Sequence, residues 1–282
     1  MSERRSLLGI CIGIFGVLLM GLMAFSTPAL ATWSEKFTST DVNGPVYATA
    51  SDTYGNMYIG GDFSFYDKNN NAANNVARWN GSSWSALGAG VNVSVHALAV
   101  APDGTLYAGG KFSTAGGISA NSIARWNGSS WSALGAGVNN AVWALAVAPD
   151  GTLYAGGEFS TAGGISAGQI ARWDGSSWSA LGDGVNDFVY ALAVAPDGML
   201  YAGGDFTTAG GISANSIARW DGSSWSALAS GVNRSTSALR STSALAADHQ
   251  NNVFAGGGHL SRGQNIQSYR ILVQLFSFSE IF

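Results

Sequence analysis

Residues 139–185 read NNAVWALAVAPDGTLYAGGEFSTAGGISAGQIARWDGSSWSALGDGV, and the 47 residues before them, 92–138, are identical at 39 positions. Within this unit Val142 to Val147 is an apolar run ended by Pro149-Asp150-Gly151, a tight turn. Leu153-Tyr154-Ala155 then opens a second short strand, which Gly156-Gly157 closes. A Gly-, Ser- and Thr-rich stretch, read as a flexible connection, leads to a third strand at Ile170 to Trp173. Asp174-Gly175, Asn-Gly in two other copies, turns the chain into a fourth strand at Trp178 to Leu181. Both dipeptides suit a two-residue type I′ hairpin, whose central positions need positive φ. Apolar residues do not recur at helical spacing, which excludes a helical array.

Working outward, Arg-Trp pairs recur every 47 residues at Arg78-Trp79, Arg125-Trp126, Arg172-Trp173 and Arg219-Trp220. Glycine pairs begin at Gly60, Gly109, Gly156 and Gly203, and a fifth begins at Gly256 after a direct duplication of Ser235–Arg240 as Ser241–Ala246. Four short antiparallel strands in a repeat of this length predict an all-β fold, a β-propeller of four-stranded blades. The expected division is a signal peptide at 1–31, a closing strand at 32–43, repeats at 44–92, 93–139, 140–186 and 187–233, and a degenerate fifth at 234–282. Five Gly-Gly strands and five Trp-Ser strands predict five blades, with Tyr269 to Phe276 as the third strand of the last. The first unit has two extra residues in the stretch Tyr66–Asn71, expected as a surface loop.

The segment W-[ND]-G-S-S-W-S-A-L-G, preceded by A-P-D-G and L-Y-A-G-G-x-F, resembles the repeats of bacterial secreted propellers and of fungal cortical polarity-marker proteins, within the broader kelch and galactose-oxidase-like group. The resemblance runs from Trp33 to about Gly258. It implies a binding or scaffold module. Oxidase activity in that group needs a copper site and a cysteine-linked tyrosine, and the single cysteine here, Cys11, lies in the export segment.

That segment has a charged start at Glu3, Arg4 and Arg5, an apolar run from Leu7 to Phe25, and Pro28 before Ala29-Leu30-Ala31, a pattern for cleavage after Ala31. The run also approaches the length of a membrane span, so an uncleaved anchor is the alternative and the only membrane association expected. A secreted or cell-surface location follows. Of the 282 residues only 11% are charged, with net charge −4, and no basic stripe exists to meet phosphates, so nucleic acid is not an expected partner. Three histidines without ligand-like spacing give no expected metal site, and no cofactor is expected.

The near-identical copies differ in few places, and those places locate the candidate site. One series is Tyr47, His96, Trp143 and Tyr190; another is Asp62, Lys111, Glu158 and Asp205; a third is Pro45, Ser94, Ala141 and Phe188. Most of these fall in the connection from a fourth strand to the next first strand or just after the second strand, and in a propeller those connections open on one end of the ring, opposite the Pro-Asp-Gly and Asn-Gly-Ser turns. Aromatic and charged groups around a shallow opening suit a carbohydrate or a peptide end. The first two series are therefore the candidate ligand-binding residues, and no catalytic residue is assigned. One alternative is a polysaccharide-acting enzyme using carboxylates among Asp62, Glu158 and Asp205; another is a structural spacer or a fragment of a longer surface protein. The Trp pairs are read as packing between blades, and Arg78 and its equivalents as bonding carbonyls of the neighbouring blade.

Overall fold

The computed structural model describes residues 42–67, 69–228, 244–256 and 271–273. Residues 1–31, expected as a signal peptide, and residues 32–41 of the expected closing strand lie outside them. Four sheets of four antiparallel strands follow one another. The first holds Val46–Ser51, Met57–Tyr66, Ala72–Trp79 and Trp84–Ala86; the second Val95–Val100, Leu106–Gly110, Ile123–Trp126 and Trp131–Ala133. The third holds Val142–Val147, Leu153–Gly157, Ile170–Trp173 and Trp178–Ala180; the fourth Val189–Val194, Leu200–Gly204, Ile217–Trp220 and Trp225–Ala227. A fifth sheet pairs Ala244–Ala247, Val253–Gly256 and Ile271–Val273, the last inside the stretch expected to supply it. The described elements include no helix, and the protein is a β-propeller. First strands of consecutive blades pack on one another, so they line the axis.

The core lies in the wedges between blades. Tyr58, Val76 and Leu87 of blade one meet Leu106, Phe112 and Trp131 of blade two. Leu134 and Ile123 then meet Leu153, Phe159 and Trp178, and Leu181 and Ile170 meet Leu200, Phe206 and Trp225. The tryptophans pack as expected, and the fourth-strand indoles do more: Nε1 of Trp131, Trp178 and Trp225 donates to the carbonyl of Leu87, Leu134 and Leu181 one blade back, at 2.7, 2.8 and 2.8 Å.

The glycine pairs are dictated by close approach. A Cβ on Gly109 would sit 2.5 Å from Cγ1 of Val142 in the next blade, and one on Gly110 would sit 2.1 Å from the carbonyl oxygen of Ser94.

Three local expectations are corrected. The Asn-Gly and Asp-Gly turns are four-residue connections, because Trp79 pairs with Trp84 and only the glycine, Gly81, has positive φ. The Asn80 carboxamide oxygen accepts the Ser82 and Ser83 amides, replacing the tighter turn with a side-chain cap. The Gly-rich connection is a tied hairpin: Thr114–Ala115 pairs with Ile118–Ser119, while the Gly116 amide donates to Gly90 O and Asn92 caps Ser113 and Thr114. At Arg219 the arginine acts within its own blade, lying between Tyr201 and Ser226 on flanking strands with its Nε donating to Ser226 Oγ at 3.3 Å. The extra residues of blade one lengthen a hairpin, since Phe65 pairs with Ala73 and Tyr66 with Ala72.

Candidate functional site

Each complete first strand carries a β-bulge at the residue where the copies differ. In blade one Val46 pairs with Gly61 and Ala48 with Gly60, which leaves Tyr47 as the extra residue. His96, Trp143 and Tyr190 are extra in the same way between Val95 and Ala97, Val142 and Ala144, and Val189 and Ala191. A bulge frees its residue from the alternation of the strand and re-aims the side chain. Here it does so at the innermost strand of every complete blade.

The second series is delivered to the same place by backbone bonds. The amides of Asp62, Lys111, Glu158 and Asp205 donate to the carbonyls of Pro45, Ser94, Ala141 and Phe188, each two residues before the bulged ring, at 2.9, 3.2, 3.0 and 3.0 Å. A charged side chain is thereby set beside the rings of blades three and four. Trp143 Nε1 donates to Glu158 Oε1 at 3.0 Å, and the Tyr190 hydroxyl donates to Asp205 Oδ2 at 3.1 Å.

The rings also reach across blades. His96 stacks on Tyr47 with centroids 5.0 Å apart and planes 19° apart, and meets Trp143 at 4.4 Å. Lys111 Nζ lies 4.8 Å from the Trp143 ring centroid. Rather than separate platforms, Tyr47, His96 and Trp143 form one continuous wall over three blades, and Tyr47, 48% exposed, is its open end. Tyr190 continues the series in blade four, with Phe188 edge-on to it at 6.3 Å.

Burial, helped by the Lys111 charge, holds the His96 imidazole below the usual histidine range against the opposing pull of Asp62 and Glu158. Burial and the adjoining Asp205 carboxylate push the Tyr190 hydroxyl up to about 12. Two contributors were missed as site residues. Ser94 Oγ lies 2.9 Å from His96 Nε2, and Phe188 packs on Tyr190. Both belong to the third variable series, so the signal was present. In the sequence of the fifth unit the corresponding positions are Ser243 and Gly258, which lie outside the described residues.

The family model of the Rax2 C-terminal beta propeller domain matches residues 63–266. The chain belongs to this family. The match covers the blades that carry His96, Trp143 and Tyr190 and supports the propeller part of the resemblance drawn from the sequence. No curated protein matches the chain. Solved structures that are similar in fold include a virginiamycin B lyase from Staphylococcus aureus, 13% identical, covering 84% of this chain and 72% of that one with TM-score 0.47. The extracellular domain of the hybrid two-component system BT3049 from B. thetaiotaomicron is 14% identical, covering 76% of this chain and 25% of that one with TM-score 0.49. PorZ, a surface component of the type-IX secretion system of Porphyromonas gingivalis, is 15% identical, covering 81% of this chain and 32% of that one with TM-score 0.44. The chain thus spans about a quarter of one of these proteins and a third of another.

Proposed function

We propose that this propeller is an exported, non-catalytic binding module, placed at the cell surface or outside the cell. Its ligand, a carbohydrate or a protein segment, docks on the ring end formed by Tyr47, His96, Trp143 and Tyr190 with Asp62, Lys111, Glu158 and Asp205. The observation that carries the reading is the bulge repeated at four equivalent positions. It brings the most variable side chains of a near-identical repeat to one opening, while the scaffold around them stays constant. Ligand specificity is commonly set this way, by varied residues on a rigid frame. The apolar segment before Thr32 supports export, and the acidic balance argues against nucleic acid.

The rival reading, a polysaccharide-acting enzyme, asks Glu158 and Asp205 to trade protons with a substrate. Each instead accepts a hydrogen bond from a neighbouring ring, which favours a positioning role. Glycan and peptide arrays on the exported form test the proposal. Trp143→Ala together with Tyr190→Ala should abolish the binding found, and Asp103→Asn with Asp150→Asn at the opposite end should leave it intact. The reverse pattern would defeat the assignment, and release of reducing ends from a polysaccharide would favour the enzyme.

A further inference from the structure

We infer that the mouth beside Trp143 is a site for an organic ammonium group, and that Lys111 is its built-in occupant. This rests on the reading of that ring end as the ligand face. Three blades place a carboxylate at the position after the glycine pair, whereas blade two places a lysine there. Its ammonium lies over the indole of the next blade, 4.8 Å from the centroid and inside the ~6 Å reach of a cation–π contact. Of the four variable rings the indole is the strongest partner for a cation. The Nε1 donation to Glu158 fixes that indole and sets a carboxylate beside it. Tyr47 and His96 extend the aromatic wall, and Asp62 and Glu158 both act electrostatically on His96, so carboxylates stand near the wall from blades one and three. With its pKa held low, His96 is neutral at neutral pH and does not repel a second cation.

This chemistry selects among ligands. Ring faces and carboxylates both attract an ammonium, whereas a neutral hydroxyl of the same size gains little from either. Lys111 is exposed and sits on a flexible four-carbon stem, so its head can leave the indole when a ligand ammonium arrives. The intramolecular contact therefore acts as a weak competitor.

Choline and its neutral isostere 3,3-dimethylbutan-1-ol separate charge from shape. Titration of the exported form, followed by the Trp143 indole resonance and assigned with Trp143→Phe, should show choline binding at least about tenfold tighter than the isostere. Lys111→Met, which keeps the stem and removes the charge, should tighten choline binding about threefold or more, with the Trp131 and Trp178 indole resonances reporting an intact fold. Glu158→Gln keeps an acceptor for the indole and should weaken choline binding. Nα-acetyl-lysine amide against Nα-acetyl-norleucine amide, and glucosamine against N-acetylglucosamine, tell whether a peptide or an amino sugar supplies the ammonium; preference for the amine in either pair supports the inference. Equal binding of choline and its isostere, no Trp143 response to choline, or a Lys111→Met protein that binds choline no better would overturn it. A neutral glycan that binds this face and is lost with Trp143→Ala would leave the broader reading standing while this inference fails.

Discussion

The indole Nε1 of Trp178 donates to the backbone carbonyl of Leu134, 2.8 Å away in the preceding blade. Strand hydrogen bonds act within a blade, so this is a directional bond across a wedge closed largely by apolar contact, in addition to the backbone bond from the Gly163 amide to Gly137 O. Trp178→Phe keeps much of the packing and leaves the Leu134 carbonyl with the Gly137 amide alone, and should cost about 0.5–1.5 kcal/mol. Trp178→Ala also opens a cavity and should cost roughly 3–5 kcal/mol. Denaturant unfolding of both variants checks the order. A Trp178→Phe protein as stable as the native one would mean that the bond contributes nothing beyond packing.

The blade was legible because its signals are local. Val142–Val147, Ile170–Trp173 and the strand from Trp178 are where the apolar runs and turn residues put them. The bulge was not legible. Nothing in the sequence Val142-Trp143-Ala144 says that Trp143 drops out of register, because its cause lies in the next strand, where the glycine pair admits the carbonyl of Ala141. Copy-to-copy variation therefore found the right positions without the geometry that joins them. The tied hairpin at Thr114–Ser119 was hidden for a similar reason: its anchors, Gly90 and Asn92, lie more than twenty residues earlier. Glycine content reads as freedom when the restraint comes from elsewhere in the chain.

Gly157 tests that account of the bulge. A Cβ there would lie 2.1 Å from Ala141 O, a backbone atom that cannot move without shifting the bulge and with it Trp143. At Gly164, φ is +88 and nothing lies within 4 Å of an added Cβ, so Gly164→Ala meets only the left-handed strain of about 1–2 kcal/mol. Gly157→Ala should lose more stability than Gly164→Ala and should perturb the Trp143 indole resonance. A Gly157→Ala protein with the stability of Gly164→Ala and an unmoved resonance would refute the close approach.

Tyr190 offers a spectroscopic test of its carboxylate partner. Its hydroxyl titrates at about 12 because burial and Asp205 both disfavour the phenolate. Asp205→Asn removes the charge and keeps an acceptor, so the pKa should fall toward the ordinary value of about 10. The difference in near-ultraviolet phenolate absorbance between the native protein and Tyr190→Phe isolates this group. Since the folded pKa is raised, the stability it contributes is present below pH ~10 and fades as pH climbs through about 12. An Asp205→Asn protein whose Tyr190 titrates as before would remove Asp205 from the cause.

His96 links stability to mildly acidic pH. Its ring is packed between Tyr47 and Trp143, its Nε2 lies 2.9 Å from Ser94 Oγ, and the charges acting on it are Lys111, Asp62 and Glu158. Burial and Lys111 outweigh the two carboxylates, so the folded pKa lies below the unfolded value of about 6.5. In the interval between the two values the unfolded chain binds more protons, and stability therefore rises with pH there. The contribution is complete above pH ~6.5 and is lost as pH falls through the folded pKa. His96→Gln removes the titration while keeping a polar group near Ser94. Unfolding midpoints taken in steps from pH 7.5 downward should decline more steeply for the native protein than for His96→Gln, with the gap opening just below ~6.5. Removing the neighbouring cation with Lys111→Met should raise the folded pKa toward the unfolded one, so that the variant declines less than the native protein below pH ~6.5. Parallel pH profiles for the native protein and His96→Gln would show that the imidazole protonates without cost inside the aromatic wall.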